Sequence, residues 1–155
     1  RMIQQLADFL RGTLKNEEQK FVSLEAELKH LALYLDIEKV RFGDRLNAEI
    51  NSDAESLQML LPPLMLQPVV DNAIRFGLYD TTEAITIRIT SSAKENDLEI
   101  KIENPFDPET TQPKGTGFGL NSIKRRLYLL FAQNNLLETQ VNGTVFTTII
   151  TIPQK

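Results

Sequence analysis

Two short stretches carry residue types whose spacing could do chemistry. In residues 61–77, LPPLMLQPVVDNAIRFG, an apolar run is interrupted by Asp71, Asn72 and Arg75. The amide of Asn competes for backbone hydrogen bonds, which mildly disfavours it inside a helix, so Asn72 needs another reason to be there. Residues 115–121 alternate Gly115, Gly117 and Gly119 with Thr116 and Phe118, then run through Leu120 and Asn121 into a helical pattern. Closely spaced glycines before a helix let backbone N–H groups approach an anion, and the positive end of the helix dipole adds to the attraction. Singly, Asn72 reads as a polar residue at a helix edge and the glycines as an ordinary loop. Together they point to a nucleotide site.

The elements that must position these residues follow from periodicity. Pro62 and Pro63 suit a helix start, where a missing N–H has no partner to lose. Pro68 then places the regular helix from near Gln67 to Gly77, a left-handed stop, with Leu66, Val69, Val70, Ala73 and Ile74 on its apolar face. Ahead of it, residues 2–15 form one helix, weakened at its end by Gly12, and residues 16–20 a connector. Ser23 is an N-cap for a second helix, with Glu25 and Glu27 near its positive end. Leu24, Leu28, Leu31, Leu35 and Phe42 make a stripe along that helix, suited either to a twin chain or to the domain's own core; Glu38 interrupts it.

Strands are expected at Leu46-Ala48-Ile50, then at Ile85-Ile87-Ile89 and Leu98-Ile100-Ile102, the last two joined by a polar segment at 91–97. Residues 105–114 hold three prolines and no periodicity, a loop long enough to serve as a lid. A helix over 122–131 turns Ile123, Leu127 and Leu130 or Phe131 inward. Asn142-Gly143 between alternating runs signals a closing hairpin. The expected fold is α+β, a two-layer α/β sandwich of about five mixed strands with helices on one face, behind a helical appendage.

Composition narrows the function. The chain has 155 residues, 41% hydrophobic and 25% charged, the proportions of an ordinary globular domain. Its net charge of -4, with no basic stripe beyond Lys124-Arg125-Arg126, speaks against nucleic acid as a partner. It has no cysteine, which excludes disulfides, thiolate zinc sites and cysteine nucleophiles. No apolar run approaches the roughly 20 residues of a membrane span. The first residue is Arg1, in the middle of a helical pattern, as expected for a fragment of something longer.

The order of these features, an Asn-bearing helix, a hairpin, a Pro-rich lid and a glycine box opening another helix, resembles the Bergerat-fold ATPases of the GHKL superfamily. More narrowly, residues 61–77 resemble the N box of LytS-type sensor histidine kinases. Residues 23–45, SLEAELKHLALYLDIEKVRFGDR, resemble the helix before it. The resemblance implies a catalytic domain at 44–155 behind partial dimerisation and linker helices at 1–43. It implies ATP and Mg²⁺ as cofactors, with Asn72 as the metal ligand through its amide oxygen. Arg75 would reach a phosphate or pair with Asp71. Gly115, Thr116, Gly117, Phe118, Gly119 and Leu120 would admit the phosphates, the glycines also acting as lid hinges. Implied partners are a twin chain through the N-terminal helices and a response regulator. The implied location is the cytoplasmic side of a membrane-anchored sensor whose upstream segments are absent here.

Three departures from the family pattern stand out. The base-reading Asp is replaced by Asn104, followed by Pro105 and Phe106 where glycine is usual; Asn still accepts a hydrogen bond but offers no charge. Asp107 is a nearby carboxylate in a turn. Pro68 stands where many superfamily members carry an acidic or amide residue, leaving Asp71 as the only carboxylate of the motif, so efficient hydrolysis is not expected whereas transfer to histidine is less affected. The phosphoacceptor histidine of the family is missing, and the only histidine, His30, reads as a surface-facing helical residue. The expected function is transfer of the ATP γ-phosphoryl to a histidine outside these residues and thence to a response regulator. The alternative is a degenerate Bergerat-fold module that works by binding and dimerisation, and a serine-directed kinase is disfavoured by the leading helical hairpin.

Overall fold

The computed structural model describes residues 2–17, 21–78, 84–105 and 118–154. Helix α1 (Met2–Glu17) runs past Gly12. A short strand β1 (Val22–Ser23) leads into α2 (Leu24–Phe42). Ser23 caps α2 as expected, its hydroxyl accepting the Ala26 N–H at 3.1 Å, and Gly43 closes it at φ 64. The stripe Leu24, Leu28, Leu31 and Leu35 is buried, with Phe42 half-buried against the same cluster. Between the two partners left open for that stripe, the domain's own core is the one that takes it. His30 corrects its expectation: it is buried at 6% exposure, its ring stacked on Phe9 of α1 with centroids 4.6 Å apart.

After a 3-10 turn at Gly43–Arg45 come β2 (Leu46–Ser52), a one-turn helix α3 (Ala54–Leu57), β3 (Leu60–Leu61) and α4 (Leu66–Leu78). Strands β4 (Ile85–Lys94) and β5 (Asp97–Pro105) follow, then α5 (Phe118–Phe131), β6 (Leu137–Asn142) and β7 (Val145–Pro153). The main sheet has five strands in the order β2-β4-β5-β7-β6; β2 lies parallel to β4 and every other pairing is antiparallel. Strands β1 and β3 form a separate two-stranded ladder.

The polar segment expected between the hairpin strands is strand as far as Lys94, and the reversal is confined to Glu95, at φ 57, and Asn96. Local partners explain this. The Ser91 hydroxyl meets that of Ser56 at 3.0 Å, and the Asp53 carboxylate accepts N–H groups of Ser56 and Ala93. Side chains alternate across a strand, so Ile85, Ile87 and Ile89 of β4, Leu98, Ile100 and Ile102 of β5, and Ile150 and Ile152 of β7 share one buried face. Helices α2, α4 and α5 cover that face from the β2 side to the β6 side, giving the expected two-layer sandwich with helices on one face. Each such aliphatic side chain removed from water contributes about 1.5–3 kcal/mol.

Candidate functional site

Helix α4 begins at Leu66 and runs through Gly77 to Leu78, so Gly77 lies inside it instead of stopping it. Leu66, Val69, Val70, Ala73 and Ile74 are buried against the sheet, the expected face. At 100° per residue, Asp71 and Asn72 fall on opposite flanks of that face. The Asp71 flank meets α2: Tyr34 Oη donates to Asp71 Oδ1 at 2.8 Å, and Arg75 Nε bonds Oδ2 at 3.2 Å. Arg75 therefore makes the ion pair with Asp71. Asn72 lies on the flank turned away from that contact, and α4 also packs on helix α5. Asn72 is 5% exposed, and its amide makes no hydrogen bond to another described residue.

Three features bear on one end of the sandwich. Strand β5 finishes where β4 and β7 begin, with Arg88 opposite Glu103 and Val145 opposite Pro105. Helix α4 packs on α5, and Arg126, in the second half of α5, acts on the charge of Glu27 at the start of α4, so the first turn of α5 lies toward the second half of α4. Asn104 lies there on the inner face at 2% exposure. Its Nδ2 donates to the Pro105 carbonyl at 2.8 Å, which leaves Oδ1 as an acceptor with no partner among the described residues. Pro105 ends the strand, a position that tolerates its missing N–H. Phe118 and Gly119 form the first turn of α5, so the helix starts four residues earlier than the 122–131 expectation, and Leu120 is buried. Phe106, Asp107, Gly115, Thr116 and Gly117 lie outside the described residues.

The start of α4 is held by a residue the sequence reading assigned elsewhere. Glu27 of α2, 2% exposed, accepts the N–H groups of Leu64 at 3.1 Å, Met65 at 2.8 Å and Leu66 at 3.1 Å. A carboxylate here satisfies first-turn donors and meets the positive end of the helix dipole. Burial pushes its pKa above the ordinary carboxylate value, against the pull of those N–H groups and of Arg126. Leu64, at φ 60, makes the turn that aims them. The acidic residue was visible; its target, 37 residues along the chain, was not.

Among the described residues no group of three or more His, Asp or Glu side chains could hold a metal ion. A divalent cation at this end would take its protein contact from the Asn72 amide oxygen, a hard donor fit for Mg²⁺, which keeps several waters and shares phosphate oxygens. The buried, unpartnered amide fits that role. Open clefts of about 440 and 400 Å³ lie elsewhere, on the outer face of the sheet, lined by residues such as Glu99 and Thr151 or Arg88 and Lys101.

A family model described as histidine kinase matches residues 1–46. The sensor protein LytS of Oceanobacillus iheyensis is 31% identical over 150 residues, covering 88% of this chain and 26% of that protein. The sensor histidine kinase BtsS of Escherichia coli K12 is 33% identical over 126 residues, covering 81% of this chain and 22% of that protein. The chain thus spans about a quarter of the length of these relatives. The catalytic domain of histidine kinase ThkA superposes with a TM-score of 0.66 at 18% identity, over 86% of this chain and 94% of that one. ThkA in complex with the response regulator TrrA gives 0.60 at 14% identity, over 99% of this chain and 48% of that one. At such identities the solved structures speak to the fold, and they share its five-stranded mixed sheet under helices.

Proposed function

We propose, for a chain that belongs to the LytS-type sensor histidine kinases, that its α4–α5 end binds MgATP and presents the γ-phosphoryl to a histidine supplied by the longer protein. The observation that carries this is the buried Asn72 residue without a hydrogen-bond partner among the described residues, on the flank of α4 away from α2, in a helix that also packs on α5. An amide that reaches solvent only narrowly and is not spent on the protein's own hydrogen bonds is open to a ligand.

The roles follow from placement. Asn72 Oδ1 would ligate Mg²⁺, and the bound metal would neutralise phosphate charge. Asn104 Oδ1, with its amide nitrogen already committed to Pro105, supports reading of the base amino group by an acceptor alone. The backbone N–H groups of Gly115, Thr116, Gly117, Phe118, Gly119 and Leu120 would receive the phosphates at the start of α5, and Phe106 would lie against the base. Arg75 is held by Asp71 in the described structure and would need to leave that pair to reach a phosphate. Asp71 itself acts through its grip on α2. Phosphoryl transfer asks chiefly for positioning and charge neutralisation, and imidazole brings its own nucleophilicity.

The next acceptor would be an aspartate of a response regulator, in line with the partner of ThkA. Dimerisation through the N-terminal helices and a cytoplasmic position beneath a membrane-anchored sensor belong to the same reading. No described helix is long and apolar enough to cross a membrane. Titration calorimetry with MgADP and MgATP tests the proposal: micromolar binding, lost in Asn72→Ala, is expected. An absence of heat and of thermal shift at millimolar nucleotide would favour the degenerate binding module.

A further inference from the structure

Between α1 and α4 runs a chain of contacts that nucleotide binding alone does not require. Phe9, on α1, stacks face to face on His30, with centroids 4.6 Å apart and rings 15° from parallel. It also packs at 39° against Tyr34, 6.1 Å away. Tyr34 lies one turn along α2 from His30, is 7% exposed, and sends its hydroxyl to Asp71 at 2.8 Å. Asp71 is the immediate neighbour of Asn72. Thus one side chain of α2 touches both the helix before it and the helix that carries the candidate metal ligand.

From this geometry we infer that Tyr34 is a positioning residue: its ring is set by Phe9 of α1, and its hydroxyl fixes the rotation of α4, so that the seating of α1 governs how Asn72 meets the nucleotide. A tyrosine suits the task because one end is an apolar plate and the other a directional donor. The hydrogen bond lies on the opposite flank of α4 from Asn72. Rotation of the helix about its axis therefore moves Asp71 and Asn72 together, and the tether sets the angle for both. The aromatic contact carries the position of α1 to the plate. The inference rests on the nucleotide reading of Asn72, and its test separates the two.

The test is a double-mutant cycle on the 155-residue chain, with Tyr34→Phe, Phe9→Ala and the double variant. Two quantities are read: MgADP affinity by calorimetry, and hydrogen exchange of the α4 amides by mass spectrometry, with urea unfolding recorded beside them. Tyr34→Phe keeps the ring and deletes the hydroxyl, so it is expected to weaken MgADP by about threefold, as befits one hydrogen bond, and to speed exchange in α4 more than in β5. Phe9→Ala should do the same in the parent and add nothing in the Tyr34→Phe background, because the path is already cut. Effects that simply add, or a Tyr34→Phe variant with unchanged affinity and unchanged α4 exchange, would overturn the inference. A parent chain that takes up no MgADP would remove the nucleotide reading instead, and the linkage of α1 to α4 would then be judged by exchange: non-additive acceleration upholds it, and independent or absent acceleration refutes it.

Discussion

Replacing Glu27 by Ala should be among the costliest single changes in this chain. The carboxylate is 2% exposed and accepts three backbone N–H groups, from Leu64, Met65 and Leu66, at 2.8 to 3.1 Å. Alanine leaves those donors facing a buried gap, where each unsatisfied group costs about 1–3 kcal/mol. Relief from desolvating a carboxylate offsets part of that sum, and the net expectation is about 3–5 kcal/mol. That is a large share of a total stability of about 5–15 kcal/mol, and corresponds to a fall in melting temperature of roughly 10 °C. Urea unfolding followed by circular dichroism measures it.

The pH dependence gives a second reading of the same residue. Because burial raises its pKa above 4.5, the folded state holds the Glu27 proton more tightly than the unfolded state. The stability drawn from this group is full below the ordinary carboxylate value and declines as pH rises through the raised one. Glu27→Gln, which cannot ionise, should therefore fall furthest behind the parent in acid and least behind it at neutral pH. A loss in Glu27→Ala below about 1 kcal/mol would refute the capping argument, and a parent-minus-Gln difference that grows toward neutral pH would refute the dominance of burial over the cap in setting the Glu27 pKa.

Other expectations follow from single contacts. Burial lowers the pKa of His30 below 6.5, so the stability it contributes is present above 6.5 and is lost as pH falls from there through the lowered value; His30→Phe should flatten that part of an unfolding profile. Leu31→Ala, at a site 1% exposed in one chain, should cost about 2–5 kcal/mol, and the loss should not depend on protein concentration, as it would if the stripe were a seam between chains. Gly117→Val should weaken MgADP binding at least tenfold, about 1.4 kcal/mol, with an unchanged circular dichroism spectrum.

The sequence disclosed those parts of the fold whose signals are local. Alternating isoleucines marked β4 and β5, Asn142-Gly143 fixed the last hairpin, and Ser23 announced α2, all within a few residues of the structure they form. The segment at 91–94 looks like a turn but is strand because its hydroxyls and N–H groups find partners in Ser56 and Asp53, some 35 to 40 residues away. His30 reads as exposed from the spacing within α2 alone, which carries no record of α1 packing across it. Asn72 stands out as a candidate because its type is wrong for its place. Its rotation and the cap on α4 escaped notice, since Tyr34 and Glu27 look like ordinary members of an amphipathic helix until their targets on α4 are known.

Gln154 sets another bond beside these, donating to the Leu60 carbonyl at 2.7 Å and accepting the Leu60 N–H at 2.8 Å. With Glu27 on Leu64 to Leu66, the approach to α4 is anchored at two points, at β3 by a residue just past the final strand and at the helix start by a residue of the second helix. Such a helix behaves as a lever pinned at its base. Swing about that pivot grows along the rod, and Asn72 stands about 9 Å out from Leu66, where a tilt of a few degrees already displaces its amide by a sizeable fraction of a bond length.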